Sequence, residues 1–94
     1  MDKELRAKLL LYLLPYHPDR IGVFGSFARG ENKKDSDLDI LIKFKERISL
    51  LKLVQIEQEL SDKLGISIDL MTENSLKNAR LKKYIEEDLI TIYE

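Results

Sequence analysis

Asp37-Leu38-Asp39-Ile40-Leu41-Ile42-Lys43-Phe44 alternates without a break. Leu38, Ile40, Ile42 and Phe44 fall on one face and Asp37, Asp39, Leu41 and Lys43 on the other, the period of a strand that packs its apolar face on a core. Two carboxylates therefore project side by side from the opposite face. A second segment repeats the arrangement: Ile66, Ile68 and Leu70 alternate with Ser67, Asp69 and Met71, which puts a lone carboxylate, Asp69, opposite another apolar face. Upstream, Arg20 to Phe24 is short, apolar and β-branched and runs straight into Gly25-Ser26, a strand feeding a turn.

Helical patterns fill the gaps between these strands. Lys3 to Leu14 carries leucines at 5, 9, 10, 13 and 14 and is stopped by Pro15 and Pro18. Phe27-Ala28-Arg29 reads as one short helical turn, and Gly30, Asn32 and their charged neighbours as an exposed loop. Ser49 is placed to cap a helix whose apolar positions Leu50, Leu53, Val54, Leu60 and Leu64 recur at about 3.6 residues, and Gly65 suits its stop. A last helix over Ser75 to Asp88, with Leu81, Tyr84 and Ile85 inward, precedes Leu89 to Tyr93, a candidate terminal strand. The order predicts an α/β fold, α+β by stricter usage, with a small mixed β-sheet flanked by helices.

Bulk properties narrow the classes. The chain has 94 residues, 16 basic and 17 acidic, for a formal net charge of -1, with 44% hydrophobic residues and no cysteine. That length fits a single domain over residues 1–94 and leaves no room for a separate acceptor-binding domain. The balanced charge offers no global attraction to nucleic acid, so nucleic-acid binding is not expected. Without cysteine there is neither a disulfide framework nor a thiolate zinc site, which fits a reducing cytoplasm. The N-terminal charges and Pro15 break the first apolar run, so no membrane span or signal peptide is read there.

Two acidic side chains on one strand face, with a third on another strand, repel one another and resist desolvation unless a cation offsets them. Carboxylates without thiolates, and with one histidine in the whole chain, suit a hard cation. Magnesium held this way keeps positions open for substrate phosphates, and two ions about 4 Å apart can assist in-line displacement at phosphorus. Gly25 lets the backbone approach a phosphate closely, and Ser26 at a helix start offers donors to anionic oxygens. Arg29 adds a fixed positive charge or orients the loop carrying Asp37 through a bidentate pair.

Gly25-Ser26-Phe27-Ala28-Arg29-Gly30 followed by Ser36-Asp37-Leu38-Asp39 resembles the signature of the DNA polymerase beta-like nucleotidyltransferases: Gly-Ser, ten residues, Asp-x-Asp. In its short form the chain is similar to the MNT antitoxins that pair with HEPN-domain toxins, and the resemblance extends to a third aspartate at Asp69. It implies a polymerase beta palm-like fold in which Asp37, Asp39 and Asp69 are the catalytic and metal-holding residues for two Mg2+ ions. It further implies that Gly25 and Ser26 bind the triphosphate of ATP, beside which Arg29 stands as a nucleotide-binding candidate on its charge alone, and that AMP passes to a tyrosine of the partner toxin, an RNase, with release of pyrophosphate.

Rival readings of the same residues are weaker. Asp35, Asp37, Asp39 and Glu46 match ligand positions of an EF-hand loop, but Ile40 stands where its sharp turn needs glycine. Gly25 and Gly30 share the Walker A spacing, but Glu31-Asn32 replaces its Lys-Ser/Thr. His17, between Pro15 and Pro18, reads as a surface loop residue, and Lys33-Lys34 as a solvated pair. Two other functions stay open: an antitoxin that neutralises by occlusion alone, and a nucleotidyltransferase acting on a small molecule or RNA, for which a homo-oligomer could supply the missing acceptor site.

Overall fold

A computed structural model describes residues 1–94. The three longer helices start where a side chain satisfies their free N–H groups. In α1 (Lys3–Leu13), Asp2 accepts from the Glu4 and Leu5 amides. A 3-10 turn over Leu14–Tyr16 follows, and His17 leaves it in the left-handed conformation, exposed at the surface as expected. Strand β1 (Pro18–Phe24) starts two residues earlier than its apolar pattern suggests, because Pro18 already pairs with Phe44 of β2 (Leu38–Phe44). Between them lies α2 (Ser26–Arg29).

Ser49 caps α3 (Leu50–Leu64) by accepting from the Lys52 amide, and Gly65 ends it in the left-handed conformation, as the pattern predicted. Strand β3 is shorter than the alternation, Ile68–Thr72, because the Ile66 carbonyl accepts from the Ser61 hydroxyl outside the ladder. A 3-10 turn over Glu73–Ser75 replaces the expected start of the last helix. That helix, α4 (Ala79–Asp88), begins only after Asn78, whose side chain accepts from the Arg80 and Leu81 amides. The tail forms β4 (Ile90–Tyr93).

The four strands make one mixed sheet in the order β3-β2-β1-β4. Strand β1 runs antiparallel to both β2 and β4, and β2 runs parallel to β3. No helix is long and apolar enough to cross a membrane.

Alternation gives the sheet two unlike faces. Ile21, Val23, Leu38, Ile40, Ile42, Ile68, Leu70 and Ile92 form the main core with Leu9 and Leu13 of α1 and Ile56 and Leu60 of α3. Burial of each such side chain contributes about 1.5–3 kcal/mol before the entropy of ordering it is counted. The other face carries a small cluster, Phe24, Leu41 and Ile85, under α4. Leu41 thus shares the carboxylate face, as its parity required, yet is buried there.

The apolar pattern of α3 is narrowed, and one inward assignment, in α4, is corrected. In α3 the buried stripe runs through Ile56 and Leu60, whereas Leu50 and Val54 are 76% and 49% exposed. The helix has more apolar residues than one face can hold, so periodicity alone does not choose among them. In α4 only Ile85 is buried, and Leu81 and Tyr84 are 41% and 59% exposed. The helix rests on the sheet along a single narrow line, and Tyr84, about 100° around the axis from Ile85, lies off it.

Candidate active site

Strand pairing brings the acidic residues together. Asp39 of β2 is the direct partner of Asp69 in β3 on one side and of Phe24, the residue before Gly25, on the other. Asp37 lies two residues before Asp39, just ahead of the strand. The start of β2 is pinned by the Leu38 amide, which donates to the Ser67 carbonyl at 2.8 Å. The turn before it is held by Ser36, whose hydroxyl accepts from the Lys33 amide at 2.7 Å. Asp69 is exposed and opposite the core face, as its parity predicted.

Gly25 sits at φ 75°, ψ -153°, a backbone region open in practice only to glycine. A Cβ there would collide with a carboxylate oxygen of Asp39. The glycine therefore lets the turn after β1 lie directly against the carboxylate cluster. Gly25, not Ser26, is the cap of α2, and Ser26 is the first helical residue.

The electrostatics agree with this crowding. Partial burial, and then the charges of Asp69 and Asp37, push the Asp39 carboxyl above its ordinary value, with Arg29 opposing. Arg29 does not pair with Asp37. Its Nε donates to Glu31 at 3.1 Å and its Nη1 to Asp88 of α4 at 2.7 Å, and these bonds hold the guanidinium firmly charged.

Gly25, Ser26, Arg29, Asp37 and Asp39 line one open cleft of about 450 Å³. Asp69 flanks it from the strand beside Asp39 and does not line it. No three acidic or imidazole groups close into a preformed metal cage. As a donor set, three neighbouring carboxylates without thiolates nevertheless fit a hard divalent cation.

Two contributors are absent from the sequence reading: Tyr84, which lines the cleft, and Asp88, which grips Arg29. Their spacing of four residues marks one helical face. That signal becomes usable only once α4 is known to lie beside α2.

A family profile described as Nucleotidyltransferase domain matches residues 4–92. The chain belongs to the nucleotidyltransferase domain family. Among relatives of this nucleotidyltransferase, a Methanocaldococcus jannaschii protein provisionally named a protein adenylyltransferase is 57% identical over 77 residues, 82% of this chain and 79% of its own. The protein adenylyltransferase MntA of Thermococcus cleftensis is 49% identical over 85 residues, 90% of this chain and 79% of its own. A solved structure described as a minimal nucleotidyltransferase superposes with a TM-score of 0.77 at 34% identity, covering 94% of this chain and 89% of its own. A toxin-antitoxin complex with AMP-PNP contains a chain sharing the fold at a TM-score of 0.85 and 20% identity, covering 94% of this nucleotidyltransferase and 72% of that chain.

Proposed function

We propose that this nucleotidyltransferase is the antitoxin of a toxin-antitoxin pair and transfers AMP from ATP to a tyrosine hydroxyl of its HEPN-domain toxin, releasing pyrophosphate. The observation that carries the reading is the pairing of Asp39 with Asp69 across adjoining strands, with Gly25 seated against the Asp39 carboxylate. Relatives named protein adenylyltransferases support the reaction class. A solved complex of a tri-AMPylated HEPN toxin from Shewanella oneidensis with its MNT antitoxin includes a chain of the same fold, at a TM-score of 0.80 and 18% identity, and supports the type of partner. The absence of cysteine and the balanced charge suit a cytoplasmic protein whose acceptor is another protein rather than nucleic acid.

In this reading Gly25 and Ser26 hold the triphosphate, and the Arg29 guanidinium adds positive charge at the cleft wall. Asp37, Asp39 and Asp69 would hold magnesium, two ions by family resemblance, which when bound supplies charge neutralisation for the triphosphate. The tyrosine oxygen forms a bond to the α-phosphorus as the bond to the leaving pyrophosphate breaks. Asp69, at the flank of the cleft, is the carboxylate to which we assign the phenolic proton.

The test is incubation with labelled ATP, magnesium and the product of the neighbouring gene. Label is expected on a toxin tyrosine, and the Asp37→Asn/Asp39→Asn variant should lower its incorporation by about 10³-fold or more. Full neutralisation of the toxin by that variant would instead favour occlusion. Label on a small molecule or an RNA would move the chemistry to a different acceptor.

A further inference from the structure

We propose that Tyr84 is the platform on which the base of the bound nucleotide stacks, an inference that rests on the nucleotidyltransferase reading and extends it to the unassigned half of the substrate. Two aromatic residues line the cleft. Phe24 is 7% exposed and packs with Leu41 and Ile85 inside the small core, so its ring is committed to the fold. Tyr84 is 59% exposed, and its ring alone is available to a ligand.

The rest of the cleft explains why that ring matters. With phosphates held near Gly25, Ser26 and the carboxylates, the sugar and base must lie along the remaining wall. The other lining groups are carboxylates, hydroxyls, a glycine and a guanidinium already engaged by Glu31 and Asp88. Among them the guanidinium is flat but charged, so Tyr84 offers the one exposed uncharged ring to the face of a base. By alanine substitution, stacking on an aromatic ring changes affinity by about 5- to 150-fold per base.

Tyr84 is also held in place. Ile85, next to it, is 1% exposed and anchors α4 to the sheet. Asp88, one helical turn further on, ties the same face of α4 to Arg29 at 2.7 Å. The helix is thus fastened beside the tyrosine and one turn beyond it, so the ring stands at the rim of the cleft without serving the core. Stacking does not read the edges of a base, which fits the lack of a base-specific pocket in the sequence.

The experiment is calorimetric titration of the full chain, in magnesium, with a non-hydrolysable ATP analogue and separately with inorganic tripolyphosphate. Tyr84→Ala should weaken the analogue by about 5- to 150-fold and leave tripolyphosphate binding unchanged, whereas Tyr84→Phe should match the parent for both. Unchanged analogue binding by Tyr84→Ala, or an equal loss in Tyr84→Phe, would overturn the platform while the nucleotidyltransferase reading stands. So would a parent protein that binds the analogue no more tightly than tripolyphosphate. A parent that binds neither would overturn the nucleotidyltransferase reading and this inference together.

Discussion

Gly25 carries two constraints at one position. Its backbone at φ 75° and ψ -153° excludes side chains on steric grounds, and the missing Cβ is the space into which the Asp39 carboxylate extends. Gly25→Ala therefore does more than strain a turn: the new methyl must displace Asp39 or the chain around α2. The backbone strain should cost about 1–3 kcal/mol, a loss visible in thermal denaturation. Adenylylation should fall by about 10²-fold or more, because a displacement on the order of 1 Å at the reacting groups suffices for that. An alanine variant with parental activity would show that the close approach to Asp39 is incidental. Arg29 shows the opposite case, since its Glu31 and Asp88 bonds are visible only in three dimensions.

Helix α4 ties packing to the cleft. One buried residue, Ile85, anchors it in the cluster with Phe24 and Leu41, while Tyr84 and Asp88 on an adjoining face reach the site. Gly22 helps it approach: a Cβ there would come within 2.6 Å of Leu89, which leads from the helix into β4. Ile85→Ala should cost about 2–5 kcal/mol. For a domain of this size that is roughly 10–25 °C in melting temperature. It should also raise the KM for ATP, because the wall bearing Tyr84 loosens. Thermal denaturation alongside steady-state kinetics checks both parts, and a destabilised protein with an unchanged KM would separate α4 from nucleotide binding.

Long-range closure of the fold includes a charged pair. Arg20 of β1 makes two hydrogen bonds, at 2.7 and 2.8 Å, to Glu73, which follows β3 and lies 53 residues away. The Arg20 bond, aided by the charges of Arg20, Lys43 and Lys82 and opposed by partial burial, holds the Glu73 carboxyl below its ordinary value of 4.5. A folded-state value depressed in this way stabilises the protein above the unfolded value, and the contribution is lost as pH falls through the depressed one. Glu73→Gln should therefore lower the melting temperature at neutral pH by less than Ile85→Ala does, and its gap from the parent should close as pH drops below 4.5. A gap that persisted in acid would mean that the glutamate acts through packing instead of its charge.

Much of this architecture was legible in one dimension because alternation and capping are local. Leu38 to Phe44 reads as a strand with Asp39 opposite the core, Ser49 and Gly65 bracket α3, and the Gly-Ser and Asp-x-Asp spacing points to the family that the profile match then shows. The placement of Tyr84 in the cleft with Gly25 and of Asp88 against Arg29 was not legible, nor was the choice of Ile56 over Leu50 and Val54 as a buried residue of α3. Those outcomes depend on which face of a helix meets the sheet. Periodicity identifies the faces an element has, and packing against residues distant along the chain selects the one that is used.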